Sequence, residues 1–378
     1  MNPSQKKWIW ISLIFSVLVL FIIILSTVDE NTFDYLQSIN IWFLLAAIAL
    51  RFISFALWAL RIKLMSHSLG YQVSFLHCFN MVIANLLIGA LTPGQTGGEP
   101  VRIHELYRVG VQIGDATAIV VLERVFDAVI LVLFGIFSLI FLFDVMQSLS
   151  MVIVGSMLIA IALMALAIGM LIYALYRPDT AKRLVMKTLF WSSEKIKRPL
   201  AEKVVTRIDI EFDNFIKSSI AFSNISRNGL YTGMACSVLF WVSEFIVASV
   251  ILMGLGIAPY ISESFLFQIV IAVISMIPLT PGASGVAEIS ATSLYALVVP
   301  TSILGVFVLI WRLIMFYLNV FAGFIGSLVI FRRELHVSSK RAQGTIDRVY
   351  SMQEQGKKEM EEMEEVAEMA ELDEFEKV

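Results

Sequence analysis

The sequence is poor in everything a soluble enzyme uses. Only 16% of its 378 residues are charged, against about 25% in soluble domains. There are two cysteines, Cys78 and Cys236, both inside apolar runs, so a disulfide framework, a Cys-x-x-Cys pair and a cysteine zinc site are all excluded. The four histidines (His67, His77, His104 and His336) are scattered, and no His-Glu-x-x-His is present. Walker A, Gly-x-Ser-x-Gly and Gly-x-Gly-x-x-Gly patterns are missing as well, which leaves no visible nucleotide or dinucleotide site. The net charge of −3 lacks the basic excess of a nucleic-acid binder. What the chain has instead is apolar residues, 58% of the total with 27 Phe among them, so most of it is expected to dissolve in lipid.

Crossing a bilayer core of roughly 30 Å takes about 20 apolar residues in a helix. Six segments qualify: about 8–28, 41–65, 116–142, 150–176, 229–253 and 302–331. The first follows Lys6 and Lys7, lacks a small-residue cleavage site, and is read as a retained span. Two shorter apolar stretches, 75–91 and 264–279, each stop at Leu-Thr-Pro-Gly: Leu91-Thr92-Pro93-Gly94 and Leu279-Thr280-Pro281-Gly282. Proline disfavours helix in the residue before it, and glycine permits the backbone angles of a reversal. A short helical stretch follows each, about 99–111 and 285–300. Both are expected to be re-entrant hairpins that return to the side they entered.

Lys and Arg set the orientation. Segments 29–40, 143–149 and 254–263 contain neither, whereas 61–74, 177–228 and 332–348 are rich in them. Six spans with both termini cytoplasmic put every basic loop inside. The interval between the two Leu-Thr-Pro-Gly motifs equals the interval between Arg124 and Arg312, each in the long span after its hairpin. The expected fold is therefore an all-α polytopic membrane protein with six full transmembrane helices and two re-entrant hairpins in an inverted repeat. The repeat units are about 41–142 and 229–331, joined by a basic cytoplasmic linker at 177–228. Together they form a membrane domain over 1–335, followed by a charged cytoplasmic tail at 336–378. Inverted repeats with helices broken near the midplane are characteristic of secondary transporters.

The first tip, Gly97-Gly98-Glu99-Pro100-Val101-Arg102, presents backbone N–H groups at a helix start. Glu99 either completes a capping box with Thr96 or helps to shape an anion site. Arg102 either snorkels to the cytoplasm or binds the anion. At the second tip, Ser284 can cap the returning helix, with Gly285 beside it and Glu288 in its first turn. Glu123, Arg124 and Asp127 lie within one span at spacings that cluster them on one side of the helix. Each costs roughly 2.5–3.5 kcal/mol at mid-bilayer. They either pin helices together or line a wet cavity. Arg312 lies deep in the last span without a sequence neighbour of opposite charge, so it needs a carboxylate or a ligand phosphate. Arg51 and Glu244 are further intramembrane charges with unassigned partners.

Taken in order, Pro93-Gly94, Gly97-Gly98-Glu99-Pro100-x-Arg102, Glu123-Arg124-x-x-Asp127, Pro278-x-x-Pro281-Gly282-x-x-Gly285-x-x-Glu288 and Arg312 resemble the transmembrane-region family of lysylphosphatidylglycerol synthases, also called the flippase-like domain family. The resemblance covers roughly residues 8–335. It implies movement of an anionic or modified lipid between leaflets, with polyprenyl-phosphate lipids and glycolipids among the substrates. Only a short charged tail follows residue 335, so lipid aminoacylation by a large soluble domain is not expected. The resulting expectation is a flippase-like transporter of the cell membrane rather than an enzyme, needing no cofactor or metal. Its partner would be a membrane lipid and not a nucleic acid. Substrate contacts are expected from Gly97, Gly98, Glu99, Arg102, Glu123, Arg124, Asp127, Gly285, Glu288 and Arg312. The alternatives are a membrane-embedded transferase or hydrolase acting on a lipid phosphate through His104 or a carboxylate, and a structural subunit.

Overall fold

A computed structural model describes residues 39–90, 92, 97–141, 227–276, 280 and 282–330, with isolated positions elsewhere. The expected span 8–28 falls almost wholly outside the described residues, as do Pro93 to Thr96, Pro281, most of the 177–228 linker and the tail; of 150–176 only scattered positions are described, all of them helical. Every regular element among the described residues is helical. Among the described residues, three helices are long and apolar enough to cross a membrane: α1 (Ile41–Ser68), α5 (Arg227–Gly254) and α8 (Thr301–Ile330). Helix α4 (Ile113–Phe141) is as long but carries Asp115, Glu123, Arg124 and Asp127. Between the long helices lie short ones: α2 (Phe75–Ala90), α3 (Gly98–Arg108), α6 (Ile261–Ser275) and α7 (Val286–Tyr295). Long, short, short, long is thus repeated, with lengths of 28, 16, 11 and 29 residues and then 28, 15, 10 and 30.

Local chemistry explains the breaks. Asn40 caps α1, its side chain accepting from the Trp42 N–H at 3.1 Å. Gly70, at φ +88°, ends that helix, with the Tyr71 N–H reaching back to the Ser66 carbonyl. Helix α1 continues to Ser68, past the end of the expected span. At the second tip Gly282, Ala283 and Gly285 all have positive φ, which turns the chain sharply after Thr280.

Each set of four helices closes its own hydrophobic core. Phe55, Met65, Met81, Leu106 and Ile119 anchor the first, and Phe267, Ile269, Leu294, Tyr295 and Phe307 the second. The cores exchange members: Ala47 of α1 and Leu131 of α4 pack into the second, and Ala322 of α8 into the first. Gly323 and Gly326 let α8 lie directly on α2. A Cβ at Gly323 would stand 2.6 Å from the Leu87 nitrogen, so α8 could not hold this approach with any other residue.

The two halves are joined mainly by α1 against α5. Asn40 hydrogen-bonds to Gly254, Ser54 to Ser243 and Arg61 to Ser237. Rising numbers on one helix meet falling numbers on the other, so these equivalent helices run antiparallel. The short helices also meet across the halves. The Gly282 N–H approaches the Thr92 carbonyl at 3.5 Å, and a Cβ at Gly282 would be 2.9 Å from the Ala90 carbonyl. The chain breaks after α2 and after α6 therefore touch.

Candidate functional site

A cavity of about 200 Å³ opens where the tips meet the α1–α5 crossing. Four arginines line it: Arg51 and Arg61 from α1, Arg124 from α4 and Arg312 from α8. Asp127 and Glu244 are the lining carboxylates. Trp58, Trp241, Trp311 and Phe316 supply much of the apolar wall.

Almost every charge here is held by another. Glu123 is fully buried and takes three donors: Trp58 Nε1 at 3.0 Å, Arg61 Nε at 2.9 Å, and Arg102 Nη1 on its other oxygen. Asp127 accepts from Arg61 Nη1 at 2.7 Å and from Trp241 Nε1 at 3.1 Å. Arg51 pairs with Glu244 and also donates through Nε to Asn319 at 3.0 Å. These contacts settle which intramembrane groups belong together. Arg51 and Glu244 are each other's partners, and Arg102 is buried against Glu123 rather than reaching the cytoplasm.

The two repeats place one arginine alike. Arg124 Nε meets Glu99 at 2.7 Å, and Arg312 Nε meets Glu288 at 2.9 Å. In both, an arginine of the last helix binds a carboxylate in the first turn of the returning hairpin helix. They differ in exposure: Arg124 and Glu99 are each about one-third exposed, with side-chain values of 36% and 32%, whereas Arg312 and Glu288 are buried. The carboxylate that Arg312 lacks in its own stretch of sequence comes from the preceding helix, α7.

At the tips two of the backbone donors are already engaged. The Gly97 N–H donates to Thr92 Oγ1 at 3.0 Å, and the Gly285 N–H to Glu288 Oε2 at 2.7 Å. Gly98 lies against Asn85, leaving no room for a side chain. Gly285 rather than Ser284 is the N-cap of α7, because Ser284 Oγ faces Arg312 Nη2 at 3.4 Å. Gly97 occupies the N-cap of α3, and Glu99 faces Arg124. Of the residues expected to contact substrate, Arg124, Asp127 and Arg312 line the cavity. Glu99, Glu123 and Glu288 stand behind these and Arg61 as ion-pair partners, and Arg102 lies a layer further back. His104 is exposed on α3, away from the cavity lining.

Arg61 was missed by sequence reasoning, which assigned 61–74 to a basic loop. The structure makes it the hub of the first half, buried and bonded to Glu123, Asp127 and Ser237. The signal was present in the spacing of Arg51, Ser54, Trp58 and Arg61, which puts four polar or amphipathic side chains on one stripe of α1. Asn319 was also missed. A π-helical turn at Leu313–Tyr317 lies between Arg312 and Asn319 and lets both reach the cavity, with the Arg312 guanidinium 4.0 Å over the Phe316 ring.

The family model described as lysylphosphatidylglycerol synthase TM region matches residues 9–323, and the chain belongs to that family. A UPF0104 membrane protein of Archaeoglobus fulgidus is 32% identical over 317 residues, covering 84% of this chain and 95% of that protein. One from Pyrococcus horikoshii is 25% identical over 347 residues, covering 89% and 100%. Another, from Methanothermobacter thermautotrophicus, is 26% identical over 263 residues, covering 68% and 75%. No solved structure matches the chain. With three helices of membrane-spanning length and this membership, it is a membrane protein.

Proposed function

We propose that this membrane protein translocates an anionic, phosphate-bearing lipid between leaflets, with the head group passing through the arginine-lined cavity. Polyprenyl-phosphate lipids and glycolipids fall within that class. The carrying observation is four arginines on one small cavity between two touching hairpins. Buried ion pairs add little net stability compared with well-packed apolar residues, so stability alone does not account for so many. The volume is below the roughly 300–1,000 Å³ of pockets that enclose a drug-sized ligand. It suits a head group whose chains remain in the bilayer. Ligand phosphate is met by Arg51, Arg61, Arg124 and Arg312, while the carboxylates orient the guanidinium groups.

The arrangement in the membrane is six spans, two re-entrant hairpins and an inverted repeat, with both termini cytoplasmic. The repeated helix plan and the antiparallel pairing of α1 with α5 support the inversion. No nucleotide motif is visible in the sequence, and transport is read as facilitated or ion-coupled. Cysteine labelling checks the topology. A cysteine at Ser148 is expected to react from outside and one at Ser193 only from inside, with residues 110–114 labelling from the cytoplasm and 256–262 from outside. Reaction of Ser148 and Ser193 variants from the same face would overturn the six-span arrangement.

The functional test uses purified protein in liposomes carrying a labelled anionic phospholipid in one leaflet. Chemically unchanged lipid is expected in the other leaflet. Altered lipid by mass spectrometry would instead favour the membrane-embedded transferase or hydrolase, and absence of transfer would reject translocation. Arg124 gives the cleanest variant. Its partly exposed pair with Glu99 is worth roughly 0–1 kcal/mol, so Arg124→Ala is expected to fold normally. Transfer should fall at least about tenfold, the size of one lost charge-assisted contact. Transfer at the wild-type rate would remove Arg124 from the site.

A further inference from the structure

The four-helix units are equivalent at the sequence offset that aligns Arg124 with Arg312. The same offset aligns Glu123 with Trp311, and Asp127 with Met315. Where α4 supplies two carboxylates, α8 supplies an indole and a thioether. Trp311 lines the cavity, is only 3% exposed, and its Nε1 has no hydrogen-bond partner among the described residues. The other two tryptophans of the cavity are satisfied: Trp58 donates to Glu123 and Trp241 to Asp127. An indole N–H is a donor only, and leaving a buried donor without a partner is destabilising. Met315 and Phe316, its neighbours on the cavity wall, bring no side-chain oxygen.

Resting on the reading of this cavity as a phosphate site, we propose that Trp311 Nε1 is a binding donor to an oxygen of the bound head group, which therefore lies with its anionic oxygens against α8. The ligand chemistry is an anionic oxygen acceptor, received jointly by Trp311 Nε1 and the Arg312 guanidinium. Asp127 and Glu244, the carboxylates on the cavity lining, repel those oxygens and so favour their placement at Trp311 and Arg312. The α8 wall thereby adds an indole donor to the guanidinium contacts that arginines supply.

The test is carried out on the full chain in detergent, labelled with ¹⁵N in tryptophan. The Trp311 indole resonance is identified by its loss in Trp311→Phe, which keeps an aromatic ring of similar packing. Titration with inorganic phosphate, and separately with a short-chain phosphatidic acid, is expected to move that resonance downfield. Movement with the lipid alone assigns the acceptor to a lipid head group, and movement with both assigns it to phosphate as such. Trp311→Phe is expected to bind the effective probe about tenfold more weakly, as for one hydrogen bond to a charged group. Wild-type protein that binds neither probe overturns both this proposal and the phosphate reading of the cavity. Binding with an unmoved Trp311 resonance, or with equal affinity in Trp311→Phe, overturns the Trp311 role alone.

Discussion

Glu123→Ala is expected to abolish recovery of folded protein. This carboxylate has no exposure and holds two arginines from different helices, Arg61 of α1 and Arg102 of α3, together with the Trp58 indole. Arg61 keeps Asp127 after the substitution, but Arg102 is left without a carboxylate. Its Nε and Nη2 already have no hydrogen-bond partner among the described residues, so the contact with Glu123 is the one that matters most. Stranding one buried charge costs about 3–5 kcal/mol, a large part of the roughly 5–15 kcal/mol that holds a typical soluble domain together. The cause is tested by rescue. Glu123→Gln combined with Arg102→Met removes the stranded charge and leaves Arg61 with Asp127, so folded yield is expected to return. Monodisperse yield and the thermal midpoint in detergent are the measurements. A wild-type midpoint for Glu123→Ala, or no recovery in the double variant, would show that the Glu123–Arg102 pair does not hold α3 in place.

The same cluster shows where the sequence was legible. The helix breaks were readable because Pro and Gly act locally: the apolar runs stop at Leu91 and Leu279, and α2 and α6 end within a few residues of those positions. The equivalence of Arg124 and Arg312 was readable because an interval that matches the one between the two Leu-Thr-Pro-Gly motifs is a property of the chain itself. Partners were not readable. Arg61 and Glu123 are 62 residues apart, and Arg51 and Glu244 are 193 apart, so each pair is created by helix packing alone. Arg61 itself was hidden by a rule that counts arginine near a helix end as a topological signal. That rule cannot see that α1 runs on to Ser68 and carries this arginine into the protein interior. The tips show a subtler limit. Glycines that suggested open N–H donors are used for close approach at Gly98 and Gly282 and for internal caps at Gly97 and Gly285. A glycine signals missing volume, and only the neighbours decide what fills it.

Arg312→Ala is expected to lose both folded yield and translocation, and its value lies in separating the two. Arg312 binds Glu288 through Nε, donates from Nη2 to the Gly282 carbonyl at 3.2 Å, and lies over Phe316. It thereby ties α8 to the second tip at the point where that tip touches the first. Removing it takes the opposite charge away from the buried Glu288 carboxylate, at about 3–5 kcal/mol in the soluble-protein analogue. Loss of transport in the single variant is then uninformative, because the protein is damaged. The double variant Arg312→Met with Glu288→Gln removes both charges and keeps their volume. The amide introduced by Glu288→Gln still offers an oxygen to the Gly285 N–H. Folded yield and thermal midpoint are expected to recover, because the two effects couple through one shared contact. Translocation in liposomes is expected to stay lost, because the α8 wall has surrendered its guanidinium. Arg312→Lys is expected to fall between, keeping charge near Glu288 but losing the planar fork that spans the carboxylate and the tip carbonyl. Transport restored along with yield in the double variant would confine Arg312 to a structural ion pair and leave phosphate contact to Arg51, Arg61 and Arg124. Yield that stays low in the double variant would show that the Gly282 carbonyl and Phe316 contacts, rather than the pair with Glu288, are what Arg312 contributes to the fold.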